Sequence, residues 1–215
     1  MTDTPAGCVT GHNLISCIGE LSSPDYDDLN DCTRIATRSA DLVSNRHASS
    51  PLWLEEYVRT LQFLGWKLYE GSISTRISID VCGTLADLLV KRAQTTQDRQ
   101  QGNAMIDTLD ALQTNHPATH SLDTESLKGR RFQVLPARYD KRGNLDIAVF
   151  NIELKASIEK SNFLFWSWEE QSAKIIQSRA FLKLDRDKLD QKRPLMESKL
   201  REHVMKRFAL RKQQP

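Results

Sequence analysis

The chain has 215 residues, enough for one large domain or two small ones with a substantial apolar core. Hydrophobic residues make up 39 % and charged residues 27 % of the sequence, a composition that excludes a disordered chain. The 30 basic and 28 acidic residues leave a net charge of +2, so a protein that binds nucleic acid along its whole surface is not expected.

The beginning of the sequence predicts a cytoplasmic protein. It contains neither the basic segment nor the apolar segment of a secretory signal, although export without a cleaved signal stays open. No run approaches the ~18 apolar residues of a membrane-spanning helix. The cysteines are irregularly spaced, which favours reduced thiols over a disulfide framework: Cys8, Cys17, Cys32 and Cys82.

The first half of the chain predicts a layer of about four helices. Residues 1–22 are rich in Gly, Ser and Thr and are expected to be loosely ordered, and residues 23–114 form the helical half. Pro24 and Pro51 suit the first turns of two helices, and helical spacing predicts two more at 79–93 and 97–114. A short strand pair is expected near Gly71.

The second half changes to the alternation of strands. After a connecting segment at 115–129, an antiparallel meander of three to four strands begins at 130–139, where Pro136 indicates an edge strand or a bend. A long C-terminal helix, kinked at Pro194, completes residues 130–215. The predicted class is therefore α+β, with the two halves sharing one core.

Known catalytic and cofactor-binding patterns are missing. There is no phosphate-binding glycine loop and no nucleophile motif, and no two cysteines have the close spacing of a zinc site. His116 and His120 flank Pro117 in a turn-rich stretch without a third ligand nearby. We therefore predict no metal, no cofactor and no catalytic residue, and an enzyme would need a site assembled from separated residues, such as Cys82 or Glu153 with His203.

The segment FLFWSWEEQ at 163–171 is the most unusual stretch of the chain. Strand alternation would place aromatic rings on both of its faces. One interpretation is a buried strand covered on both sides. The other is an exposed apolar surface of the kind that meets a partner or a membrane. Phe165, Trp166 and Trp168 are the candidate residues of that surface.

Basic residues concentrate at the C-terminus. Residues 185–215 contain ten Lys or Arg and five Asp or Glu. A basic amphipathic helix can lie on an anionic membrane, although mixed charges of this kind also suit a solvated helix face. Arg201, Lys206 and Arg207 complete the predicted interaction surface.

These observations predict a non-enzymatic protein that interacts with a protein partner or with a second copy of itself. The alternative is a membrane-active protein, or a component of a toxin system, that uses an aromatic β-hairpin and the basic helix on an anionic membrane surface. The second alternative is an enzyme with a dispersed site. No motif in the chain identifies a family.

Overall fold

The structure is a computed structural model that describes residues 7–18, 21–48, 51–70, 73, 77–95, 99–156 and 162–212. Within these ranges the chain forms seven strands and six helices. In chain order they are β1 (Gly7–Thr10), β2 (Asn13–Ile18), α1 (Ser23–Val43), α2 (Pro51–Phe63), β3 (Trp66–Glu70), β4 (Ile77–Thr84), α3 (Leu85–Thr95), α4 (Arg99–Thr114), α5 (His116–Glu125), β5 (Phe132–Tyr139), β6 (Leu145–Ala156), β7 (Ser167–Leu184) and α6 (Arg186–Lys212).

The seven strands form one mixed sheet in the order β1-β2-β5-β6-β7-β3, with β4 also paired to β7. β2 and β5 are parallel, and the other pairs are antiparallel. β3 and β4 share the outer edge of the long strand β7: Ile77 lies opposite Gln177, and Glu70 lies opposite Phe181. The sheet is therefore built around β6 and β7.

Helices cover both faces of this sheet. In β6, Ile147 and Val149 point into the core beneath α1, α2 and the start of α6. Ile152 and Leu154 of the same strand point into a second core beneath α3, α4 and α5. Because successive strand residues face opposite sides, the alternation of β6 serves two separate helical layers.

Local sequence explains how α1 begins and which of its faces is buried. The Ser22 side chain accepts a hydrogen bond from the Asp25 backbone N–H at 3.3 Å, which caps α1, and Pro24 occupies its first turn. An apolar stripe with helical spacing then faces the sheet: Leu29, Cys32, Ala36 and Ala40, all buried.

The predicted fold class is wrong in its organisation. β1 and β2 precede the first helix, β3 and β4 separate α2 from α3, and the helices are divided between two faces instead of forming one N-terminal layer. Residues 79–84, predicted as helix, belong to β4, and α3 begins only after Gly83, whose φ is +84°. The Thr84 side chain then accepts a hydrogen bond from the Asp87 backbone N–H at 3.0 Å, as a helix cap does.

The predicted meander of three to four strands is also too small. β5, β6 and β7 do follow one another as antiparallel neighbours, but they form the middle of a seven-stranded sheet. β5 lies between β2 and β6, so its predicted edge position is wrong. Pro136 is tolerated there because the pairing of β5 with β6 is interrupted at residues 135 and 136.

The C-terminal helix α6 continues through Pro194 and is fastened to the first turns of α1. Arg186 Nη2 donates to Asp25 at 2.7 Å, and Arg193 makes two hydrogen bonds to Asp28 at 2.5 and 2.8 Å. Both carboxylates are buried, and Tyr139 also donates to Asp25. Among the described residues, no helix is long and apolar enough to cross a membrane.

Candidate functional site

The structure separates the predicted aromatic surface into buried and exposed parts. Trp168 is 7 % exposed and packs in the core beneath α3 to α5, where Phe165 is half-buried. Trp166 is 41 % exposed. Residues 163–165 form a turn before β7, not a strand, and their bending accounts for the separation of the rings.

The predicted basic residues lie on α6. Arg201 is exposed, and its guanidinium is 3.8 Å from the Glu197 carboxylate one turn earlier. An exposed pair of this kind contributes little to stability. Lys206 and Arg207 follow on the same helix, but their side chains lie outside the described residues, as does that of His203.

The candidate metal ligands are not assembled. Within the described ranges, no three His, Cys, Asp or Glu side chains come together as a metal site would need. Burial raises the pKa of Cys17 and of Cys32 to about 12, so both thiols stay protonated and are poor ligands. Cys82 is exposed, and Glu153 lies 3.5 Å from Arg131 in an ion pair.

Two connections that are far apart in sequence meet through an ion pair. The Arg46 guanidinium, between α1 and α2, lies 3.9 Å from the Glu125 carboxylate at the end of α5. We call this region the tip and define it as residues 41–48, 51–53 and 125–131. The sequence-based prediction did not identify it.

The tip exposes several aliphatic side chains. Leu42 is 89 % exposed, Val43 60 %, Leu52 56 % and Leu127 49 %. The first two end α1, the third begins α2, and the last follows α5. Single exposed leucines are ordinary, whereas several on adjoining connections are typical of a surface that meets an apolar partner.

Basic residues accompany these aliphatic side chains. The tip contains four cations, Arg46, Lys128, Arg130 and Arg131, and two carboxylates, Asp41 and Glu125. Arg130 is exposed, whereas Arg131 is buried and lies beside Glu153. The tip therefore combines apolar side chains with a net positive charge.

The turn after α5 has an unusual backbone. Leu127, Lys128 and Gly129 have φ values of +50°, +55° and +80°, and the first two are residues that seldom adopt this conformation. The turn is held by the Ser126 hydroxyl, which accepts from the Gly129 N–H at 2.8 Å. Beneath it, the Phe163 ring occupies the place that a Cβ at residue 129 would take. The fold thus holds a strained turn that presents Leu127 to solvent.

Arg46 fastens the tip to the sheet. One guanidinium nitrogen lies 2.6 Å from Nδ1 of His12, which is fully buried in the turn between β1 and β2. The same guanidinium donates twice to Asp41, at 2.5 and 3.0 Å, and Trp53 Nε1 donates to that carboxylate at 2.8 Å. The Trp53 ring meets His12 edge-on, with 5.4 Å between centroids.

The surroundings keep His12 uncharged. Burial, together with the positive charges of Arg46, His47 and Arg131, lowers the pKa of His12 well below its ordinary value of 6.5. Gln133 opposes this effect without forming a full hydrogen bond to the ring, because Nε2 of His12 and Oε1 of Gln133 have no partner among the described atoms. Burial and the charges of Arg46, Arg130 and Arg131 also lower the pKa of His47.

Comparison with known proteins gives matches of structure only. No family model and no curated protein matches the sequence. A delta-endotoxin has 12 % identity and a TM-score of 0.43 over 82 % of this chain and 84 % of its own. The activated Cyt2Ba monomer from Bacillus thuringiensis subsp. israelensis has 10 % identity and a TM-score of 0.46 over 81 % and 98 %.

The Evf virulence factor has 10 % identity and a TM-score of 0.39 over 94 % of this chain and 83 % of its own. The structures that this chain is similar to thus include toxin and virulence proteins. At these identities and TM-scores the likeness assigns no function to the chain.

Proposed function

We propose that the protein binds anionic membrane surfaces through its tip. The observation that supports this proposal is the combination, on two adjoining connections, of four exposed aliphatic side chains with a net positive charge. Apolar side chains gain free energy by entering the acyl boundary of a bilayer, and cations gain by approaching anionic headgroups. The ion pair between Arg46 and Glu125 joins the two connections that carry these side chains, which supports a joint contribution from both.

The structure of the tip suits shallow insertion into a membrane. Leu127 is held outward by a turn that the Phe163 ring supports from below, so its exposure needs no rearrangement. Leu42 and Val43 end a helix whose other face is fixed to the sheet. The proposal therefore describes a protein that lies on a membrane.

Vesicle flotation near neutral pH tests the proposal. We expect the protein to float with vesicles that contain phosphatidylserine and to remain unbound with phosphatidylcholine alone. The double variant Leu42→Ser/Val43→Ser should bind about 10- to 100-fold more weakly, from the apolar surface that it removes. Leu195→Ser is the matched control because it changes an exposed leucine on α6 that is not part of the tip.

Separate variants test the contribution of the positive charges to vesicle binding. Lys128→Gln/Arg130→Gln should weaken binding about 30-fold at low salt, since each cation near an anionic surface contributes about 1 kcal/mol. Lys141→Gln/Arg142→Gln removes two exposed cations from the turn between β5 and β6 and should bind normally. Equal losses in tip and control variants would contradict the proposal.

Self-association is a second candidate function, and one observation favours it. β4 pairs on one side with β7, and among the described strands none pairs with its other side. Along β4, half-buried Ile77 and Ile79 alternate with exposed Ser78 and Asp80. An open strand edge of this kind is a template for a second copy. A mass above 24.6 kDa in light scattering, lowered by Ile77→Lys, would support this candidate.

A further inference from the structure

We propose that His12 and Arg46 form an acid-sensitive latch: protonation of His12 breaks its bond to Arg46 and frees the connection between α1 and α2 from the sheet. This inference concerns the regulation of the tip and rests on the proposed function for its biological meaning. The latch itself is a property of the protein alone, and it can be measured without a membrane.

The chemistry of the two partners fixes the protonation state of the histidine. A guanidinium only donates hydrogen bonds, so Nδ1 of His12, 2.6 Å from Arg46 Nη1, must be the acceptor and must carry no proton. The proton of the neutral ring is therefore on Nε2. Adding a proton to Nδ1 replaces this hydrogen bond with two donors facing each other, both positively charged.

Among the described residues, the ionisable groups that act most strongly on His12 are basic ones, which oppose a positive charge on its ring. From the connection between α1 and α2 it faces Arg46 and His47, and from β5 it faces Arg131. The nearby carboxylates already have cationic partners: Asp41 and Glu125 accompany Arg46, and Glu153 accompanies Arg131. Because the ring is fully buried, water cannot solvate the new charge while the latch stays closed.

Opening relieves this conflict. An open latch exposes His12 to water, where its pKa returns to about 6.5, while the closed latch holds the ring neutral. Each pH unit below about 6.5 therefore multiplies the opening equilibrium constant by up to tenfold, and above that pH the latch is indifferent to pH. Arg46 keeps its two hydrogen bonds to Asp41, so it leaves with α1 and separates from the turn between β1 and β2.

Hydrogen exchange of the free protein tests the latch. Between about pH 7 and about pH 5, we expect protection factors in residues 44–48 and in the turn at residues 10–13 to fall by up to tenfold per pH unit below 6.5. Protection at the first turns of α1 should not change. His12→Gln, which keeps an acceptor but cannot titrate, should lose most of the dependence on pH and keep only the part that comes from His47, whose pKa is also lowered. His120→Gln, which changes an exposed histidine, should retain all of it.

Arg46→Gln keeps the test decisive if His12→Gln does not fold. Removing the cation should raise the pKa of His12 towards 6.5. The pKa can be measured from the pH dependence of the NMR signals of the ring. Protection that is constant with pH in the wild type, or an equal pH dependence in His12→Gln, would overturn the latch. Vesicle flotation at both pH values separates the two proposals: opening without stronger membrane binding supports the latch and contradicts its connection with the proposed function.

Discussion

The two ends of α1 are fastened by the same kind of cation to different acceptors. At the beginning of the helix, Asp25 and Asp28 accept from Arg186 and Arg193 of α6. At the other end, Arg46 donates to His12 in the turn between β1 and β2. A carboxylate keeps its charge down to acidic pH, whereas an imidazole accepts only while it is neutral.

The acceptor therefore determines how the attachment of each end of α1 depends on pH. The beginning of α1 stays fastened down to strongly acidic pH, because the hydrogen bonds to Asp25 lower its pKa to about 2. The end of α1 is also held by the hydrogen bond from Trp53 to Asp41 and by the burial of Ala40. Its attachment through Arg46, however, exists only while His12 is uncharged, and this is the end that exposes Leu42 and Val43. A fixed attachment and a conditional attachment on one helix would let one end move while the fold persists.

The largest expected difference between the two ends is in stability at neutral pH. Asp25→Asn should lower the free energy of unfolding by about 3 kcal/mol, because it leaves Arg186 beside a buried site without a charge partner. Asp41→Asn should cost only about 1 kcal/mol, because Asp41 is partly exposed. Urea unfolding of both variants gives the comparison, and equal losses would contradict the assignment of the permanent attachment to the beginning of α1.

The part of the tip that follows α5, residues 125–131, should be rigid. Gly129→Ala should lower the free energy of unfolding by about 2–3 kcal/mol, since it combines a left-handed φ of +80° with a clash against the buried Phe163 ring. Gly143→Ala is the control: its φ of +78° imposes a similar strain, but no atom of the described residues lies within 4 Å of its added Cβ. A similar loss in both variants would show that Phe163 does not support the turn.

The pH dependence of the permanent attachment should lie at strongly acidic values. Burial alone would raise the pKa of Asp25, but hydrogen bonds from Arg186, Tyr139 and Ser22 lower it from 3.8 to about 2. Ionised Asp25 therefore contributes about 2 kcal/mol above pH 4, and this contribution disappears as the pH falls through about 2. Unfolding curves of the wild type and Asp25→Asn should converge over this interval, and a difference already lost near pH 6 would contradict the account.

The smallest expected effects are those of Leu127→Gly, which should raise stability but weaken vesicle binding. Leu127→Gly relieves a φ of +50° and should raise stability by about 0.5–1 kcal/mol. The same change removes an exposed aliphatic side chain and should weaken vesicle binding. Thermal unfolding and flotation measured on one preparation test both signs, and lower stability would mean that the turn is not strained.

Much of the secondary structure follows from the sequence. Helical spacing and proline at the first turn predict α1 and α2, and strict alternation predicts β6. The arrangement of the sheet does not follow. Pro136 indicated an edge or a bend because the sequence alone does not show where strand pairing is interrupted. Residues 79–84 of β4 were predicted as part of the helix that follows them.

The tip was beyond prediction for a different reason. His12, Arg46 and Glu125 are far apart in sequence, and the parallel pairing of β2 with β5 is one of the contacts that bring the two halves of the chain together. Val43 continues the helical spacing of the apolar residues of α1, a pattern that by itself indicates a buried side chain, yet it is 60 % exposed. Neither its exposure nor the left-handed φ of Leu127 has a signature in the sequence.

We propose that the tip is the surface that meets the membrane. Hydrogen exchange with and without phosphatidylserine-containing vesicles tests it most directly, because it locates the contact along the whole chain. The account predicts that vesicles increase protection in residues 41–48 and 125–131 and leave α6 unchanged. Protection confined to residues 201–212 of α6 or to residues 163–168, with no change at the tip, would contradict it.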